Sequence, residues 1–151
     1  MGRDPGGVPT RGRKVTATLL LRIASILALI HSILHTIGGV LGKPEPGTQA
    51  ATLAIMKASS FPAMGVTRTY EDFYLGLGLF VTVALAMEAA VLWQLATLIQ
   101  SDGARLRPVL VSFTLAYLCY AIIAFTYFFA APGIFEFLIA ACVAGAIAKS
   151  K

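Results

Sequence analysis

The sequence predicts an all-α integral membrane protein: a four-helix transmembrane bundle with a short amphipathic helix in its long first loop. Three observations predict it. Hydrophobic residues fill 58% of the 151 positions and charged residues only 13%, where a soluble domain carries roughly 25% charge. Mean hydropathy is +0.81, more apolar surface than a chain of this length hides from water. The apolar residues also gather in runs separated by connections rich in Pro, Gly and charge.

Residues 1–14 hold four glycines, two prolines and the basic residues Arg3, Arg11, Arg13 and Lys14, which reads as a mobile basic tail. A basic stretch before an apolar run resembles a signal peptide. The run that follows is too long for one and lacks a small-residue cleavage site, so it is read as a retained span. Residues 15–151 then form one transmembrane domain, with spans at about 15–41, 73–99, 108–130 and 133–148. A crossing helix needs about 20 residues at 1.5 Å each. The first three spans qualify, and the fourth reaches with local thinning of the bilayer. The lack of strict alternation excludes barrel strands.

The first connection, 42–72, is the longest. Lys43-Pro44-Glu45-Pro46-Gly47 ends the first helix. Thr48 caps a short helix through about Ala58, in which Leu53, Ile55 and Met56 suit a bilayer surface. Pro62 and Gly65 mark a further turn, after which residues 67–72 start the second helix. The second connection, 100–107, is short and polar, and the third, at 131–133, reads as a tight Pro-Gly hairpin.

Lys and Arg flank the spans unevenly. The tail, Arg105, Arg107, Lys149 and Lys151 put eight on one side, and Lys43, Lys57 and Arg68 lie on the other. Both termini are therefore expected on the cytoplasmic face of a cell's inner (plasma) membrane, with the long loop outside. An even number of spans agrees. The pI near 9.5 comes from these flanks, so nucleic acid is not an expected partner. Ala140, Ala144 and Ala148, with Ala141 and Gly145, and Gly38 with Gly42, form small-residue faces. Such faces let helices approach closely, within one bundle or in a homo-oligomer.

Ionisable residues inside a span face a partner or a cavity. From the helix rise, His31 and Glu136 lie roughly 6 Å outward of mid-bilayer, His35 roughly 12 Å outward and Glu88 about 4 Å inward, near the level of Tyr117. Arg68, Tyr70, Glu71 and Asp72 sit at the outer rim, and Glu88 shares a helical stripe with Val81, Tyr74 and Tyr70. His31 and His35, four apart, share a face. That spacing fits interhelical hydrogen bonding, proton transfer or ligand binding, or a metal assisted by Glu136 or Asp72. Interhelical bonding is the first of these, and no metal site or cofactor is assigned. His31 and Glu136 are expected within one side-chain layer. The expected ligand-facing set is His31, His35, Arg68, Tyr70, Asp72, Tyr74, Glu88, Tyr117 and Glu136. Acid–base chemistry would draw on Glu88, Glu136, His31 and His35. Cys119 and Cys142 are single and lie within spans, which disfavours a dithiol oxidoreductase.

Three segments together carry a resemblance: Leu20-Leu21-Arg22-Ile23-Ala24-Ser25, the run HSILHTIGGVLG from His31 to Gly42, and FPAMGVTRTYEDFYLGLGL from Phe61 to Leu79. They resemble a family of uncharacterised small bacterial membrane proteins named after a leptospiral locus. More distantly, the architecture is similar to DoxX-like four-helix membrane proteins. The resemblance implies topology and brings no activity with it. The two polar motifs flank the long outer loop and would meet if the first two helices pack as neighbours, where Arg68 would pair with Glu71 or Asp72 or hold an anionic group near the positive end of the second helix. The expected function is a multi-pass protein, in contact with membrane lipids, that binds a lipid-like or other small apolar ligand in an outer-half polar cavity or acts as an accessory subunit. The alternatives are an intramembrane acid–base enzyme on an isoprenoid, sterol-like or quinone substrate, and an oligomeric proton-coupled transporter.

Overall fold

The computed structural model describes residues 10–150. They form helix α1 (Thr10–Leu34), which passes into a π turn (His35–Val40), then α2 (Thr48–Ala58), strands β1 (Ser60–Ala63) and β2 (Val66–Thr69), and helices α3 (Tyr70–Tyr127) and α4 (Ala130–Lys149). The expected helical class is observed. Three stretches are long and apolar enough to cross a membrane: Lys14–Val40, Tyr70–Tyr127 and Ala130–Lys149. The expected tail differs in part. Residues 10–14 already belong to α1, and the rest of it lies outside the described residues.

By internal contacts the chain divides into two units. One comprises the residues up to His31 with those from Ala86 onward, and the other is Ser32–Leu85. In the first unit, Leu21, Leu92, Ile99, Leu110, Tyr117, Ile139 and Val143 are fully buried among Ala17, Ala24, Ala28, Ala96 and Ala146. Small residues at these positions let helix backbones approach, which drives association where lipid removes the hydrophobic incentive. On α4 the packed face runs through Gly133, Glu136, Ile139, Ala140, Val143 and Ala146. The expected Ala140–Ala144–Ala148 stripe is split, since Ala144 and Ala148 face outward.

The second connection is not a loop. Helical structure continues through it, broken only at Asp102 (φ −122°, ψ 34°), which divides α3 into two rods. A straight rod would hold Glu88 and Tyr117 about 44 Å apart. Their side chains are instead neighbours, and Leu92 and Leu110 share one core, so the chain doubles back at Asp102. Pro108 lies six residues past this break, inside the second rod. Lys14 Nζ donates to the Gln100 carbonyl (2.8 Å) and Gln100 Nε2 to Thr18 Oγ1 (3.3 Å). Gly103 sits so close to Ser150 that an added Cβ would lie 3.0 Å from its carbonyl oxygen. The third connection also shifts. The break falls at Phe128 and Phe129, and Pro132 and Gly133 lie inside the first turn of α4. Gly133 is there for packing, because a Cβ would come within 2.7 Å of the Phe125 ring. Starting at Ala130, α4 has 20 residues and needs no thinning to span.

In the second unit, α2 matches its expected bounds, but Gly47 (φ 99°) rather than Thr48 is the N-cap, and the Gln49 side chain accepts from the Glu45 N–H. Residues 67–69, expected to open the second helix, are β-strand. β1 and β2 pair antiparallel with Phe61 opposite Arg68 and Ala63 opposite Val66. Met64 (φ 49°) and Gly65 (φ 88°) make the two-residue turn, both left-handed as a type I′ hairpin demands. The helix starts one residue after Thr69. Thr69 Oγ1 accepts from the Asp72 N–H (3.0 Å) and Asp72 Oδ2 from the Thr69 N–H (2.8 Å), a reciprocal cap. Among the described residues of this unit only Ser32 and Leu85 are buried.

Candidate functional site

Four side chains meet in the first unit, each at a core-face position of its helix. His31 lies three and seven residues after buried Ala28 and Ala24, and Glu136 lies three and four before Ile139 and Ala140. Glu88 precedes Leu92 by four, and Tyr117 follows Leu110 by seven. His31 Nδ1 lies 3.1 Å from Glu136 Oε1, as the depth estimate predicts, and it is the only ion pair among the described residues. The contact is close but poorly aligned, so His31 Nδ1 makes no regular hydrogen bond. The His31 ring stacks on Phe135, centroids 5.2 Å apart at 18°. Tyr117 is fully buried beside Glu88, with Tyr120 edge-on at 6.1 Å. Tyr117 Oη and the Glu88 carboxylate are within reach of one another without regular hydrogen-bond geometry, and Glu136 Oε2 is buried without a protein partner. Their valences suit an exchanging proton or a bridging water.

The remaining expected site residues lie in the second unit, on separate tasks. His35 Nε2 donates to the Gly78 carbonyl (3.1 Å). His31 and His35 thus make separate contacts, and no group of three or more His, Cys, Asp or Glu gathers in ligating reach among the described residues. Thr36 gives its hydroxyl proton to the Ser32 carbonyl (2.7 Å) and accepts from Thr82 Oγ1 (3.0 Å), and Ser32 donates to the Thr82 carbonyl (3.0 Å). Arg68, expected to pair with Glu71 or Asp72, instead donates to its neighbour's carbonyl at Thr67 (3.0 Å), because the strand carries it away from the cap. Asp72 is consumed by the cap. Tyr70 packs on Phe61, with centroids 4.9 Å apart. Of the residues sharing the Glu88 stripe, Val81, Tyr74 and Tyr70 are exposed.

Tyr74 does line a cavity of about 390 Å³. Its walls are the π turn (Gly38, Gly39, Val40), the following Gly42, Lys43 and Pro44, the face of α2 carrying Gln49, Thr52, Leu53 and Met56, and Glu71 and Leu75 of α3. Sequence reasoning missed most of this set. The available signal was the Gly38-Gly39 pair, since irregular helical turns recur at functional sites, together with the amphipathic α2. A comparison with known proteins finds no match: no family model, curated protein or solved structure aligns with the chain.

Proposed function

We propose that this chain is a multi-pass protein of a cell's inner membrane that binds one small lipid-like molecule on its loop side. The cavity beneath α2 carries the reading. Val40, Pro44, Leu53, Met56 and Leu75 offer an apolar body, and Lys43, Gln49, Thr52, Glu71 and Tyr74 offer polar groups for a head. Its volume falls in the range of small-molecule sites, about 300–1,000 Å³. The topology we assign is a bundle of four crossings, made by α1 with its π turn, the two rods of α3, and α4, with both termini cytoplasmic. The contacts of Lys14 with Gln100 and of Gly103 with Ser150 support it. So does the excess of Lys and Arg on those segments.

A second reading is favoured by the orphaned atoms of the His31–Glu88–Tyr117–Glu136 cluster, which suit proton exchange within the membrane. Acid–base enzymology on an apolar substrate has less support, because the cavity beneath α2 is not lined by these residues. Mass spectrometry of protein purified in mild detergent tests the ligand reading. Wild type is expected to carry a small amphipathic species near one per chain, and Leu53→Trp, which fills the cavity, to lose it. Identical bulk lipid in both preparations overturns it.

A further inference from the structure

A groove between α1 and the first rod of α3 has no part in the cluster or the cavity. It is a shallow, open groove of about 400 Å³ lined by Ser25, Ile26 and Leu29 of α1 and by Ala86, Ala89, Ala90, Trp93 and Gln94 of α3. The Ser25 hydroxyl is spent on the Ala89 carbonyl at 2.6 Å, which leaves the lining apolar over the alanines. At the Trp93 end, the Arg22 guanidinium stands 5.0 Å above the centre of the indole ring. Arg22 is exposed, and among the described residues no carboxylate lies within ion-pair distance of it. Yet it belongs to the apolar stretch Lys14–Val40, about 12 Å deeper along the helix than Lys14. A guanidinium at that depth needs an anion, and an aromatic face compensates only part of its lost hydration.

We propose that this groove binds one anionic phospholipid, its phosphate on Arg22 beside Trp93 and an acyl chain laid along Ala86, Ala89 and Ala90. The polarity suits that occupant. The charged end lies toward Lys14 and the apolar end toward mid-span, where Leu29 and Ala86 lie about 10 Å further along their helices. No acidic side chain lines the groove to receive a headgroup amine, which selects anionic over zwitterionic lipid. The inference rests on the chain lying in a bilayer and is independent of what fills the cavity beneath α2.

Trp93 is the protein's single tryptophan, so its fluorescence reports on this groove alone. The test reconstitutes the full chain into vesicles of phosphatidylglycerol and phosphatidylcholine, with one or the other brominated on its acyl chains. Quenching of Trp93 then yields the relative affinity of the two lipids. Wild type is expected to prefer the anionic lipid by about fivefold, the factor one basic side chain contributes at an anionic surface. Arg22→Gln should bring the ratio to about one, and Arg22→Lys should retain the preference. Ala86→Leu, which fills the groove from an exposed position, should weaken quenching by both lipids. Equal quenching by the two lipids in wild type, or a preference that survives Arg22→Gln, overturns the proposal. So does a dimer, seen by cross-linking in the same vesicles, that Ala86→Leu dissolves, since the groove would then belong to a second copy of the chain.

Discussion

Removing Glu136 and His31 together is expected to destabilise the fold far less than the sum of the two removals made separately. At 3.1 Å, the two groups attract by about 5 kcal/mol for an effective dielectric near 20 when both are charged. Both are more than nine-tenths buried, so each leaves an uncompensated charge when its partner goes, at a cost of about 3–5 kcal/mol. The poor alignment of the pair means a neutral hydrogen bond contributes little, and neutral interhelical bonds in membranes average about 0.6 kcal/mol. A double-mutant cycle separates the two. Glu136→Ala, His31→Ala and the double variant are unfolded reversibly in mixed micelles, with Trp93 fluorescence as the signal. The coupling energy is expected near 3 kcal/mol, about two thirds of the loss in either single variant. A coupling at or below about 0.6 kcal/mol refutes the charged-pair account and leaves a weak neutral contact.

Three further outcomes follow from local geometry. Met64→Asn should stabilise the β1–β2 hairpin by about 1 kcal/mol, since Met64 holds φ 49° and Asn tolerates that region; slower hydrogen exchange at the strand amides checks it. Thr69→Ala should cost about 1 kcal/mol by opening the reciprocal cap with Asp72, read as faster exchange over the first turn of α3, whereas Arg68→Ala should leave that turn unchanged. Gly133→Ala should cost about 1–3 kcal/mol through overpacking against Phe125, and Gly133→Ala combined with Phe125→Leu should recover most of it in the same micelle unfolding assay.

The long apolar segments were legible because lipid imposes a single compositional rule on them, and α2 was legible because Pro46-Gly47 and Lys57 frame it. The pairing of His31 with Glu136 followed from depth alone, since a 1.5 Å rise turns residue number into height. Other features turn on competition that a linear reading does not weigh. At residues 66–69 the β-branched Val66, Thr67 and Thr69, with Met64-Gly65 ahead of them, outweigh the pull of the helix that follows, and Arg68 leaves its expected partners as a result. At Asp102 one residue with non-helical backbone reverses the chain where a loop was expected. Pro132 reads as a breaker but lies in a first turn that needs no N–H from it. The equal spacing of His31 and His35 suggested a shared task, yet a π turn begins at His35, and the two rings find different partners. The cavity wall was illegible because it is assembled from the irregular turn, whose glycines carry no chemistry of their own.

The near absence of an interior in Ser32–Leu85 sets the terms on which that half of the chain can be handled. With Ser32 and Leu85 as its only shielded residues, it has almost nothing to collapse around once cut free and placed in buffer. What holds it is local hydrogen bonding, the hairpin ladder, the Thr69–Asp72 cap and the His35–Gly78 bond, helped by hydrocarbon wherever its exposed apolar flanks meet lipid. Removing that medium should therefore melt the hairpin and α2 first, long before the alanine-rich interior of the other half yields, so harsh detergents will collapse the cavity beneath α2 while helical content still looks intact.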